Sequence, residues 1–294
     1  MPSAYSAHAR LVETARARPE LWRLLLGLAL IAVLVSVLNL MFFTVVAGLG
    51  SAKWAQELLQ GSTPLALLLL LASFGFIILG VAVAAHQLQH RSLGSIFGQR
   101  GLVAAQFLKV LKALLILGAV GVLLPPYGLG GSLSKNLPFS TWLLLLPVSV
   151  LVVLIQTSAE EVLFRGYVQQ ALAARFQSPV IWMGIPSVLF AAGHYTPELA
   201  GENAILFVLW ALIFGMLASD LTARSGTLGP AIALHFFNNI IALLFVSLPD
   251  NLSGLALFSL PFDASDAEQL RPWLVVDLAV MFVCWLAARL AIRR

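Results

Sequence analysis

Eight long apolar runs dominate this chain, and they leave it one class of structure. Of 294 residues, 60% are hydrophobic and 10% charged. Stretches of roughly 18 or more apolar residues with almost no charge are the signature of helices crossing a hydrocarbon core about 30 Å thick. The sequence therefore predicts an all-α polytopic membrane protein with about eight transmembrane helices, near 24–50, 64–85, 106–125, 142–170, 179–195, 204–221, 228–248 and 272–292. Lys109 and Lys112 fall in the first turns of the third run, so they must snorkel to the interface or belong to an amphipathic lead-in.

Basic residues enrich the cytoplasmic ends of such helices. Arg10, Arg16, Arg18 and Arg23 precede the first span, and Arg91, Arg100, Lys109 and Lys112 surround the second connection. Arg175 marks the fourth connection and Arg224 the sixth, while Arg289, Arg293 and Arg294 close the chain. The alternate connections hold Lys53, Lys135 and Arg271 with most of the acidic residues. Both termini are therefore expected in the cytoplasm. The net charge of +4 is accounted for by this asymmetry, and no basic run interleaved with aromatics points to nucleic acid. The one cysteine, Cys284, lies inside the last span and forms no internal disulfide. The first run is too long for a signal-peptide core and is expected to stay in the mature protein.

Few connections could hold a folded soluble domain. The longest, 249–271, is rich in Asp, Ser and Pro and is expected to be an exposed linker; 125–138 is another turn-rich connection. Intramembrane polar residues concentrate between Trp142 and Leu248. Ionisable groups at bilayer depth persist where they face a partner or a wet cavity, so function is sought there.

Glu160, Glu161 and Arg165 follow directly on the run WLLLLPVSVLVVLIQT. On a helix Glu161 and Arg165 are four apart and can pair, whereas Glu160 is rotated by about 100°. One carboxylate is then neutralised by its own helix and the other is free to point elsewhere, as a general base requires. His194 lies on the next, antiparallel span. If the turn falls near Gln177 and Ser178, Glu160 and His194 are each ~17 residues from it and return to the same depth. On the seventh span His235 and Asn239 are four apart and can donate hydrogen bonds from one face, a geometry suited to a developing oxyanion; Asn238 is a geometric substitute. Structural hydrogen bonding to neighbouring helices is the plainer reading of the same groups. His86 and His90 have helical ligand spacing, but beside Arg91 at a helix end they are expected to be an exposed interfacial pair. Asp220 with Arg224, and Asp277, look structural.

EEVLFR, FAAGH and HFFNN, in that order on successive membrane segments, read as EExxxR, FxxxH and HxxxN. The sequence resembles the CAAX prenyl protease 2 family and its bacterial CPBP, or Abi, intramembrane protease relatives, over roughly 142–248. The resemblance implies a glutamate-dependent endopeptidase with its active site in a helix-bundle cavity. Glu160 and His194 would activate a water, and His235 and Asn239 would stabilise the oxyanion. Glu161 and Arg165 would hold the motif helix in shape, with Phe190 packed beneath His194. It also implies an organisation of cytoplasmic segment 1–23, frame helices 24–140, catalytic core 141–248, and extracytoplasmic linker with last helix 249–294. The expected partner is a membrane-associated, in some relatives prenylated, peptide or protein.

Other readings of the same residues are a zinc metalloprotease, a proton-coupled transporter and a non-catalytic scaffold. Asn239 is a poor zinc ligand and the Glu161–Arg165 pair occupies one carboxylate, so no cofactor is expected. A transporter would show paired broken helices in two related halves, and the sequence has no such symmetry.

Overall fold

The computed structural model describes residues 4–124, 133–249 and 251–293. Most of the 125–138 connection, Asp250 and Arg294 lie outside the described residues. The chain opens with a short helix α1 (Ser6–Leu11) and a 3-10 turn (Glu13–Ala17), followed by α2 (Leu21–Gly48), α3 (Ala52–Gln60), α4 (Pro64–Ser73) and α5 (Gly75–Gln89). Next come α6 (Leu93–Phe97), α7 (Arg100–Leu123) and α8 (Phe139–Glu161), whose axis continues through a π-helical turn (Val162–Val168) into α9 (Gln169–Arg175). Then α10 (Pro179–Ala192), α11 (Pro197–Ala200), α12 (Ala204–Ser225) and α13 (Gly229–Ile240) lead through a second π turn (Ile241–Phe245) to α14 (Ala267–Ile292).

All eight apolar runs are helical. Among the described residues six segments are long and apolar enough to cross a membrane: Leu21–Gly48, Pro64–Gln89, Arg100–Leu123, Phe139–Arg175, Pro197–Ser225 and Ala267–Ile292. Pro179–Ala192 and Gly229–Phe245 are shorter. The outer surface carries large apolar side chains, among them Leu25 at 65%, Leu40 at 70% and Leu144 at 80% exposure. In water such a surface would aggregate; in lipid it is solvated. The protein is an integral membrane protein of all-α class. Lys109 and Lys112 sit on exposed faces of α7, two to three turns into the helix.

The connection expected to be an exposed linker is packed. Leu255, Ala256, Phe262 and Ala264 are buried. Within it β3 (Phe258–Ser259) pairs antiparallel with β1 (Ser134–Lys135) and parallel with β2 (Val246–Ser247). Asn136 donates from Nδ2 to the carbonyls of Ser253 and Ala256 at 2.7 and 2.8 Å. Polar composition concealed the alternate apolar residues that anchor the loop. Asp220 is structural as expected, accepting from Tyr5, Arg224 and Trp285 and so tying α1, α12 and α14 together.

The turn between α12 and α13 governs the depth of the polar residues. It does not reach a surface: Ser225, Thr227 and Leu228 are buried. The Leu228 N–H donates to the Phe97 carbonyl at 3.0 Å, Thr227 donates to Gln106, and α6 and the start of α7 cover the turn. Irregular backbone is tolerated at such depth because protein satisfies its polar groups. His235, two helical turns past this buried turn, therefore lies deep in the bundle, which a turn at the membrane surface would not allow. Gly226 adopts the left-handed conformation (φ 72°) that ends α12. At Gly229 a Cβ would collide with the Val103 carbonyl oxygen, a backbone atom of α7. Gly229→Ala is expected to destabilise the fold by about 1–3 kcal/mol, read as a lowered melting temperature in detergent.

The N-terminal segment docks beneath α9 and α10. His8 is buried, its ring 4.6 Å from that of Trp182 and its Nε2 3.4 Å from Nε2 of Gln169. Gln169 donates there, so His8 accepts as a neutral imidazole. Burial, and then the Arg16 charge, push its pKa down to about 4. Detached, His8 returns to about 6.5, so the free segment binds more protons between these values. Docking is therefore complete above pH ~6.5 and weakens as pH falls towards ~4. Deuterium uptake over residues 5–18, corrected for the intrinsic exchange rate at each pH, is expected to rise between pH 7 and 5 in the wild type and to lose that dependence in His8→Phe.

Candidate active site

α8 carries Gln156, Glu160 and Glu161 into the bundle, and the π turn that follows carries Arg165. π turns are frequent at functional sites because they re-aim side chains within a helix. Glu161 and Arg165 pair as the spacing predicts, Nη1 to Oε1 at 3.1 Å, and both side chains are wholly buried. The guanidinium also lies over Phe190, its carbon 4.7 Å from the ring centroid, with Phe164 and Phe214 at 6.0 and 5.9 Å. Aromatic faces thus enclose a cation whose remaining N–H groups have few oxygen acceptors nearby.

His235 joins the two glutamates. Its Nδ1 lies 2.8 Å from Oε1 of Glu161 and its Nε2 lies 3.3 Å from Oε2 of Glu160. An ionised carboxylate offers only acceptors. Nδ1–H therefore donates to Glu161, and Nε2 faces the Glu160 carboxylate.

Glu160 is thus not unpartnered, as the helix geometry had led us to expect. Besides His235 it accepts a hydrogen bond from Nε2 of Gln156 at 2.8 Å, and Gln156 in turn accepts from Nδ2 of Asn239 at 2.8 Å. Gln156 was missed in the sequence, although it stands four residues before Glu160 in an otherwise apolar run. Glu160 is the more open of the two acids, with 16% side-chain exposure against 0% for Glu161.

His194 lies just past the end of α10. Its Nδ1 donates to the Phe190 carbonyl at 2.9 Å, which leaves the Nε2 lone pair as an acceptor. Its ring packs on Phe190 at 4.5 Å, as expected, and Phe190 also meets His235 at 5.9 Å. The two imidazoles therefore share one aromatic neighbour. Glu160 and His194 are not in direct contact, so any joint action passes through an intervening group. Asn238 contacts Asn239 at 3.4 Å and reaches neither glutamate.

Among the described residues no three His, Cys, Asp or Glu side chains are grouped to hold a metal ion. Both His235 nitrogens face carboxylates. His86 and His90 are exposed at the end of α5.

Residues 140–241 match the family described as Rce1-like, type II CAAX prenyl endopeptidase Rce1-like. All the residues of the polar cluster lie within that segment. The chain is also 28% identical over 115 residues to the uncharacterized protein YyaK of Bacillus subtilis (strain 168). That stretch is 39% of this chain and 38% of the relative, so the likeness covers well under half of either. No solved structure matches the chain.

Proposed function

From the premise that residues 140–241 are an Rce1-like segment, we propose that the protein is an intramembrane endopeptidase that hydrolyses a peptide bond by glutamate-activated water. The observation that carries this reading is the asymmetry of the two glutamates. Glu161 is locked between Arg165 and His235, with no exposure, and Glu160, one residue earlier, is partly open.

A water placed between Glu160 and the Nε2 lone pair of His194 can donate to both. As its oxygen attacks the scissile carbonyl, Glu160 takes the proton. Negative charge then moves to the carbonyl oxygen, where Asn239 and His235 supply donors. Collapse of the intermediate breaks the C–N bond, and the leaving amine takes the proton from Glu160. No covalent link to the enzyme forms.

The substrate class is a membrane-tethered peptide or protein, prenylated chains being one member of it, entering from within or beside the bilayer. Comparative proteomics of cells carrying the wild type or Glu160→Gln tests this. An uncut membrane-associated peptide should accumulate in the variant alone; identical peptidomes would count against a peptidase.

A further inference from the structure

We propose that Gln156 is a positioning residue that divides the two oxygens of Glu160 between separate tasks, holding Oε2 in place and leaving Oε1 to take the proton of the attacking water. The inference rests on the reading of Glu160 as the base. Gln156 is buried on α8 one helical turn before Glu160, so its amide reaches the carboxylate along the same face. Oε2 receives the Gln156 N–H at 2.8 Å and faces His235 Nε2 at 3.3 Å. Oε1 has no protein partner among the described residues. Oε2 is engaged by the Gln156 amide and lies against the His235 ring, whereas Oε1 is open, so proton transfer falls to Oε1.

The same amide fixes Asn239. A carboxylate can only accept, so the NH2 group of Gln156 must face Glu160 and its carbonyl must face α13. Asn239 must then present its own NH2 group to Gln156, as it does at 2.8 Å. One of its two N–H bonds is used there and the other is left for the substrate oxygen. Through one glutamine, the protonation site and the oxyanion donor are set relative to each other. In the reaction a water O–H breaks, its oxygen bonds to the carbonyl carbon, and the carbonyl π pair becomes the oxyanion. The proton goes to Oε1 and leaves with the amine when the C–N bond breaks, restoring Glu160.

The test uses the full chain in liposomes, labelled with 13C at glutamate carboxyl groups. The infrared carboxylate band of Glu160 is the one that disappears in Glu160→Gln. In Gln156→Leu that band should shift, because one hydrogen bond to the carboxylate is lost. With the peptide identified by proteomics, Gln156→Leu should lower kcat by roughly 10²-fold with KM little changed. The double variant Gln156→Leu/Asn239→Ala should then be little worse than Asn239→Ala. An unmoved Glu160 band overturns the proposal, as do losses that multiply in the double variant. The infrared result needs no substrate, so an inactive wild type would count against the peptidase reading and leave the positioning test intact.

Discussion

Glu160→Gln is expected to lower peptide cleavage by roughly 10²–10⁴-fold, the range for loss of a positioned general base, while the protein folds and inserts as the wild type does. The substitution keeps the side-chain volume and an oxygen that can accept from Gln156. On the proposed mechanism it removes the group that takes the water proton. The neighbouring change should behave differently. Glu161→Gln removes the charge that compensates Arg165, in a position with no exposure, so its first effect is on stability. Two identical substitutions at adjacent positions thus separate chemistry from architecture. Rates measured at matched amounts of folded protein, with melting temperatures recorded alongside, distinguish them. If both variants lost activity only in proportion to lost stability, the division of roles would be wrong.

The second large effect is at Arg165. Arg165→Leu should cost about 3–5 kcal/mol, the usual consequence of breaking a buried ion pair from one side. Glu161 would keep only His235, and the aromatic enclosure of Phe164, Phe190 and Phe214 would lose its cation. The melting temperature in detergent should fall well below that of the wild type. Arg165→Lys should recover little, because an ammonium lacks the planar group that pairs with a carboxylate while lying against ring faces. A leucine variant that melts like the wild type would show that the pair contributes nothing to the fold.

Much of the architecture was legible because a bilayer imposes its own length scale on the chain. Each apolar run became a helix, and the Glu161–Arg165 pair followed from spacing alone. What the sequence hid were contacts between distant segments. His235 meets Glu160 and Glu161 across about seventy residues, and no periodicity in α13 points to that. The expectation of an unpartnered Glu160 failed for this reason, and because Gln156 carries no charge to draw notice.

The burial of His235 was hidden for a related reason. Counting residues from the membrane surface assumes that turns lie at the surface, and the turn at Gly226–Leu228 lies under α6. The loop after Phe245 was mistaken for a linker because its Asp, Ser and Pro content outweighed Leu255, Ala256 and Phe262 in any average over the segment.

The most direct test is cleavage-site mapping by mass spectrometry, with purified wild type and Glu160→Gln reconstituted in liposomes alongside the candidate membrane peptide. The account predicts one cut peptide bond with the wild type, none with the variant at matched folded protein, and water oxygen in the new carboxyl terminus. The same products at the same rate from both proteins would contradict it.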